Sequence, residues 1–266
     1  MAAWAWLRRR WAIAVVLLAF AATTLVVPVL TPVATTDDWA YARSAEILLH
    51  DHVLRIFPVV AATSVFPVVW GALFGALVGP SFGVFRLSTV VISALGGWAL
   101  YGLCRELGVS RGRSALGAAA YLFNPLAFVL AFTFMTDPFF TALLTIAAFF
   151  TARGFGAGRD GGRWLVTGSG AAALALLTRQ QGALIPLAIV LFLLATGRLR
   201  PNRAGLATLL QIGVLPVAAG AGYLLWLRFV NDVPSVQTKF LREVATEGWS
   251  GTWWLLRRLT YAELAY

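Results

Sequence analysis

Long apolar blocks separated by short arginine-rich connections constrain this sequence more than any other feature. Several of the blocks reach the ~20 residues that an α-helix needs to cross a bilayer. Hydrophobic residues make up 60% of the chain and charged residues 12%, whereas a soluble domain usually carries about 25% charged residues. The sequence therefore predicts an all-α, polytopic membrane protein.

The positive charge of the chain is concentrated in the connections between the apolar blocks. The formal net charge is +10, which in a soluble protein would favour nucleic acid as a partner. Short arginine clusters beside apolar blocks instead set membrane orientation. We therefore expect membrane lipids and not nucleic acid as partners. The single cysteine, Cys104, excludes an internal disulfide.

The first block raises the question of a cleaved signal peptide. Arg8, Arg9 and Arg10 precede it, and Ala19-Phe20-Ala21 resembles a cleavage site. The apolar run continues over residues 11–33, however, which is long enough for a full span. We expect a retained first helix with the N-terminus in the cytoplasm, which brings the following polar segment to the outer side.

The block at residues 57–79 is also long enough to span. If it did, the arginines at 105–113 and 153–163 would lie outside, against the positive-inside rule. We therefore expect a surface-lying or re-entrant segment, broken by Pro58, Pro67 and Pro80. Together with an amphipathic helix after Thr35, it forms a first outer loop at about residues 35–81 with two juxtamembrane helices.

The remaining blocks complete a module of about seven transmembrane helices over residues 1–252. Residues 228–251 are expected as an outer loop, and residues 253–266 as the start of a further helix in a chain that resembles a fragment or a minimal module. The six spans expected after the first outer loop are residues 82–103, 114–134, 138–152, 164–178, 182–196 and 204–227.

A dense polar segment, Thr35 to His52, follows the first span. Its adjacent carboxylates, Asp37 and Asp38, diverge by about 100° on a helix, so one can face a substrate while the other caps the helix or binds a cation or a neighbouring arginine. Simple capping by both remains an alternative. His50 and His52 have metal-ligand chemistry, but residues two apart face different ways on a helix, so no metal site is predicted.

Three further polar side chains lie at the outer ends of predicted spans. Asp137 precedes Pro138, so it either caps a helix or positions an acceptor or a cationic group beside Asp37. Arg179, followed by Gln180, either binds a phosphate in bidentate fashion or reaches toward lipid headgroups. Arg86 has the same two interpretations. Ionisable groups at membrane boundaries are costly and therefore often functional.

The order of these motifs resembles the membrane glycosyltransferases of the GT-C fold, in the branch of protein O-mannosyltransferases and lipid A aminoarabinose transferases. The resemblance is clearest over about residues 35–196, and a lysine often found in the proline-bearing stretch of the lipid A transferases is absent here. The motifs that carry it are Asp37-Asp38-Trp39-x-Tyr41-Ala42, Phe85-Arg86-Leu87-Ser88, Leu103-Cys104-Arg105-Glu106-Leu107-Gly108, Asn124-Pro125, Thr136-Asp137-Pro138-Phe139-Phe140 and Thr178-Arg179-Gln180-Gln181-Gly182.

The resemblance implies an enzyme that moves a sugar from a polyprenyl-phosphate donor to a glycan, lipid or protein acceptor on the outer face of the cell membrane, with inversion. It implies that Asp37 is the catalytic base, Asp38 a second acidic residue and Asp137 an acidic group near the acceptor. A divalent cation remains an open question.

The same resemblance implies a binding site for the donor phosphate. Arg179, with Arg86 and Gln180, would hold it. Two other functions remain open from the sequence, namely a non-catalytic carrier or flippase for lipid-linked sugars and an inactive fragment. A carrier needs polar groups throughout the membrane depth, and the predicted spans hold few.

Overall fold

The structure is a computed structural model that describes residues 2–231 except Thr36 and Arg200, with side chains from residue 11 onward except that of Arg159. The predicted outer loop at 228–251, beyond residue 231, and the predicted helix at 253–266 lie outside these residues. The described part is helical and contains no strand, which confirms the all-α prediction. Its α-helices are α1 Ala2–Ala22, α2 Asp38–Asp51, α3 Val65–Val78, α4 Phe82–Glu106, α5 Arg111–Leu122, α6 Pro125–Ala131, α7 Thr136–Gly156, α8 Gly161–Leu176, α9 Leu184–Ala195 and α10 Arg203–Trp226.

Among the described residues, three helices are long and apolar enough to cross a membrane. They are Phe82–Glu106, Thr136–Gly156 and Arg203–Asn231, the last of which joins α10 to a short π-helical turn. The pair α5 and α6 makes a fourth span if its two bent halves are counted together. The predicted total of seven spans is therefore not confirmed.

The first predicted span, residues 11–33, does not form one continuous helix. Helix α1 ends at Ala22 and a 3₁₀ turn at Thr23–Leu25 follows. Thr23 and Thr24 donate their hydroxyls to carbonyls three residues earlier, the latter at 2.7 Å, and such bonds compete with the helical ladder. Pro28 then lacks the N–H that a continuing helix needs.

The span predicted at residues 114–134 is bent by 64° between α5 and α6. Asn124 accepts hydrogen bonds from Leu126 N at 3.1 Å and Ala127 N at 3.2 Å, so it caps a new helix that begins at Pro125. A residue before proline disfavours the helical conformation. The Asn-Pro pair therefore ends one helix and starts the next in a new direction.

Helix α3 occupies the block whose topology was ambiguous in the sequence. It has 14 residues, or about 21 Å at 1.5 Å per residue, short of a ~30 Å hydrocarbon core. An irregular segment from His52 to Ser64 leads into it. This length agrees with the prediction that the segment at 57–79 does not cross alone.

Small residues let the central helices α4, α7 and α8 approach closely. Gly96 of α4 lies against Ala142 of α7, and Gly168 of α8 lies against Ala147 and Thr151 of α7. Small residues at such crossings allow the backbones to pack where lipid supplies no hydrophobic driving force. This core holds the N-terminus of α7 beside the turn that follows α8.

That turn, residues 177–183, is docked on the irregular segment before α3. Ser64 N donates to Thr178 O and Phe66 N donates to Leu177 O, both at 3.0 Å. Gln180 Nε2 donates to Ala61 O at 3.0 Å. Three hydrogen bonds thus join segments more than 100 positions apart, and they fix Arg179 relative to the first outer loop.

Gly182 allows the turn to pack on the end of α8. A Cβ at this position would overlap the backbone of Ala175 and Leu176. We expect Gly182→Ala to lower the unfolding midpoint in detergent, with a cost of about 1–3 kcal/mol. Gly213 lies in α10 with open space around it, so Gly213→Ala should leave the midpoint unchanged or raise it. Equal midpoints for the two variants would contradict this role for Gly182.

Candidate active site

The adjacent aspartates of the polar segment have opposite environments at the start of α2. Asp37 is exposed at the N-cap position, and Asp38 in the first turn is fully buried. The Asp37 side chain makes no cap hydrogen bond at this helix end. The divergence predicted from helical geometry is therefore present, and only Asp37 faces solvent.

Asp38 forms a buried ion pair with Arg86 of α4. Arg86 Nη2 and Nε lie 2.8 and 3.0 Å from Asp38 Oδ2, and the Arg86 side chain is 3% exposed. Thr35 N donates to Asp38 Oδ1 at 2.7 Å. Both carboxylate oxygens are thereby occupied, as a buried charge requires.

Arg86 also holds the segment that connects the first helix to α2. Arg86 Nη1 donates to Thr31 O at 3.1 Å, and Nη2, which also binds Asp38, lies 2.7 Å from Val33 O and 2.6 Å from Thr35 Oγ1. The Arg86 side chain is 3% exposed, and its role in binding the donor phosphate stays a prediction.

A second acid–arginine pair is partly open to solvent. Arg179 Nη1 lies 2.6 Å from Asp137 Oδ1, and each side chain is 34% exposed. Asp137 is in the first turn of α7, where the helix dipole stabilises a carboxylate. A guanidinium has five N–H donors, and this bond uses one of them. The structure therefore brings two of the predicted site residues together at an accessible position.

Tyr41 lies near both this pair and the exposed carboxylate of Asp37. It lies one helical turn after Asp37 and is 8% exposed. Burial raises the pKa of the Tyr41 phenol above its ordinary value, the neighbouring Thr136 and Arg179 act in the opposite direction, and Asp137 and Asp37 raise it further. Thr136 Oγ1 lies beside the phenol without the geometry of a regular hydrogen bond. The phenol therefore stays protonated at neutral pH.

Sequence reasoning did not assign a role to Tyr41, although the residue stood within the recognised motif. The signal was its spacing, because residues four apart lie on the same face of a helix. Gln180, which sequence reasoning placed at the donor phosphate, instead holds the carbonyl of Ala61.

The histidines near the end of α2 take no part in this cluster. His50 and His52 are exposed, and His52 adopts a left-handed conformation at the helix C-cap. Across residues 2–231, as far as they are described, no three His, Cys, Asp or Glu side chains are grouped so that they could hold a metal ion.

The cluster of Asp37, Tyr41, Asp137 and Arg179 brings three useful groups into one neighbourhood. They are the exposed carboxylate of Asp37, the accessible guanidinium of Arg179 and the protonated phenol of Tyr41. A carboxylate can take a proton from a hydroxyl, and a guanidinium can bind a phosphate through two parallel hydrogen bonds. These groups come from the starts of α2 and α7 and the turn after α8.

The buried pair Asp38–Arg86 makes a sharp prediction for stability. Arg86→Met should destabilise the protein by about 3–5 kcal/mol, because it leaves the Asp38 carboxylate buried without a counter-charge. The double variant Arg86→Met with Asp38→Leu removes both charges and should regain most of the loss. Unfolding midpoints in detergent measure both.

The control for this prediction is an exposed pair. Arg163 and Asp160 lie 3.4 Å apart with side chains 64% and 70% exposed, so Arg163→Gln should change the midpoint little. If Arg86→Met behaved like Arg163→Gln, the buried pair would have no structural importance.

Residues 58–228 match the family described as dolichyl-phosphate-mannose-protein mannosyltransferase. No curated protein and no solved structure matches the chain. The matched region contains Arg86, Asp137 and Arg179 and begins after Asp37 and Asp38. It covers more than half of the sequence, and the apolar helices agree with a membrane enzyme of the GT-C type. The chain therefore belongs to the dolichyl-phosphate-mannose-protein mannosyltransferase family and is a membrane glycosyltransferase that uses a polyprenyl-phosphate-linked sugar.

Proposed function

We propose that this protein transfers a sugar from a polyprenyl-phosphate to a hydroxyl group of a glycan, lipid or protein acceptor, with inversion and with Asp37 as the general base. One observation carries the proposal. Asp37, Asp137 and Arg179 come from three separate segments, and all three lie near the phenol of Tyr41. Two of the three are directly paired.

In the proposed reaction, a negative charge accepts a proton and a positive charge stabilises the leaving group. Asp37 takes the proton of the acceptor hydroxyl, whose oxygen attacks the anomeric carbon from the face opposite the phosphate. The bond between that carbon and the phosphate oxygen breaks, and its electron pair leaves with the polyprenyl phosphate. A phosphate leaves as an anion without protonation, so the site needs a positive charge there rather than a general acid.

Arg179 is the proposed source of that positive charge. It is partly exposed, and its bond to Asp137 leaves further N–H donors for the two oxygens of a phosphate. Its backbone is fixed by a 2.9 Å hydrogen bond from Arg179 N to Ala175 O, and Gly182 N donates to Arg179 O at 2.9 Å. A guanidinium on a fixed turn loses little entropy when it binds an anion.

Asp137 and Tyr41 have supporting roles in this proposal. Asp137 orients the Arg179 fork through the 2.6 Å bond. The protonated phenol of Tyr41 can donate to a substrate oxygen or to a carboxylate, since burial keeps it neutral. Both residues act on the charges around the reacting atoms rather than on the bonds that break.

Asp38 and Arg86 are proposed as positioning residues. They fix the backbone from Thr31 to Thr35, and this segment leads directly to Asp37. Gln180 has a comparable task, because its bond to Ala61 ties the Arg179 turn to the segment before α3. The base and the arginine are thereby attached to one outer loop.

The distribution of arginines supports an outer-face site. Asp137 begins α7 and Arg153 lies in its last turn, so the acidic cluster and the arginine-rich connections lie at opposite ends of that helix. By the positive-inside rule the arginine-rich end faces the cytoplasm. We call it the arginine-rich end, and its described side chains are Arg105, Arg111, Arg113, Arg153, Arg163, Arg198 and Arg203.

Replacing the proposed base should abolish transfer. Asp37→Asn keeps the shape of the side chain and removes its basicity, so we expect kcat with a polyprenyl-phosphate sugar to fall by at least ~100-fold. Asp51→Asn is the matched control, an exposed aspartate at the other end of α2, and should retain activity. Full turnover by Asp37→Asn, at normal levels in the membrane, would exclude Asp37 as the base.

Replacing the proposed phosphate ligand should weaken the use of donor. We expect Arg179→Gln to lower kcat/KM for the donor by about 10–100-fold, because charged hydrogen bonds are worth about 1.5–3 kcal/mol. Arg179→Lys should lie between, since it retains the charge and loses the fork. Arg163→Gln, at the arginine-rich end, is the control. An unchanged kcat/KM for Arg179→Gln would contradict phosphate binding there.

A further inference from the structure

A cavity of about 490 Å³ separates α7 from α9 away from the proposed site. Its α7 wall includes Leu144, Ala148 and Phe155, and its α9 wall includes Ala188 and Phe192. An engineered apolar cavity of about 150 Å³ can already hold benzene. The space between these helices is therefore large enough for a substantial hydrocarbon segment.

The cavity exists because α9 packs loosely on the bundle. Only Ile185 and Leu193 of this helix are buried, and leucines such as Leu187 and Leu191 are at least half exposed. Ile185 belongs to the cluster around Leu143 and Ala147 of α7. Ile189 also packs on this cluster, and both isoleucines line the cavity together with Ala188 and Phe192, so α9 adds a second apolar wall to that of α7.

The length of the gap matches one leaflet of a bilayer. From Leu144 to Phe155 the α7 wall extends over about 16 Å at 1.5 Å per residue, which is half of a ~30 Å hydrocarbon core. Leu144 lies near the middle of α7, and Phe155 lies in its last turn. The gap therefore runs from mid-membrane depth to the arginine-rich end.

The mouth of the gap carries an arginine at a fixed position. Arg198 lines the cavity, and its backbone N donates to Leu193 O at 2.9 Å while Gly197, with φ +64°, closes the helix C-terminus. Glu106 lies at the same mouth, but it pairs with Arg153 at 3.3 Å. The charge that remains at the mouth is positive.

We propose that an anionic phospholipid binds here, with an acyl chain between α7 and α9 and its phosphate at Arg198. The apolar walls match the chain, the leaflet-deep length matches its extent, and the positive mouth favours an anionic headgroup over a zwitterionic one. This site is separate from the proposed active site, and lipid binding there does not depend on the transfer reaction.

Lipid retention tests the proposal without any activity assay. The full chain is reconstituted in bilayers of phosphatidylcholine with phosphatidylglycerol, extracted in mild detergent and analysed for bound lipid by native mass spectrometry. We expect phosphatidylglycerol to be retained preferentially. Arg198→Gln should reduce its retention about fivefold, the factor that one guanidinium near the lipid surface accounts for, and Arg111→Gln at the same end should not.

A second test of the lipid site fills the cavity with larger side chains. Ala188→Trp places a large side chain in the gap and should abolish retention, whereas Ala218→Trp on the exposed face of α10 should not. Ala148→Leu is a smaller change with the same expected direction, and unfolding midpoints verify that each variant is folded. Unchanged retention in folded Arg198→Gln and Ala148→Leu would overturn the site. Equal retention of both lipids would overturn its preference for anionic headgroups.

Discussion

The buried ion pair between Asp38 and Arg86 is the interaction on which the proposed site depends. Taking a carboxylate and a guanidinium out of water is costly, and here the cost is offset by their mutual bonds and by three further bonds from Arg86 to the connecting segment. Those bonds leave the backbone before α2 little freedom. Asp37 immediately precedes the buried Asp38, so the ion pair of its neighbour restricts where its exposed carboxylate can lie.

The opposite side of the site is held by hydrogen bonds rather than by charge. The turn that carries Arg179 is tied to Ser64, Phe66 and Ala61 across the outer segment, and close packing at Gly182 seats it on α8. A base and an anion-binding group contribute to catalysis only when their geometry is fixed before the substrate arrives. The two anchoring systems supply that condition from different parts of the chain.

Features of the fold that depend on local composition could be predicted from the sequence, whereas features that depend on tertiary packing could not. Apolar block length and arginine placement predicted the ends of α4, α8, α9 and α10 to within three residues, because both depend on local composition. The break at Asn124-Pro125 was visible as a motif, yet its 64° bend was not, since the direction of α6 depends on packing. The end of α1 at Ala22 was missed because the threonine hydroxyls that compete with the helix carry a weak compositional signal. Helical geometry predicted that Asp37 and Asp38 diverge, but which one is buried depends on Arg86, 48 positions away.

Arg86 and Arg179 could not be distinguished from the sequence, but they differ in how far their side chains are buried. Arg86 and Arg179 each follow an apolar boundary, and each is paired with an aspartate in the fold. Arg86 is 3% exposed and its donors are directed at Asp38 and at backbone carbonyls, so an incoming phosphate would have to displace bonds made in a low dielectric. Arg179 is 34% exposed with one bond to Asp137, so a phosphate can add to that pair without breaking it. The same residue type therefore stabilises the fold at one position and remains available for a ligand at the other.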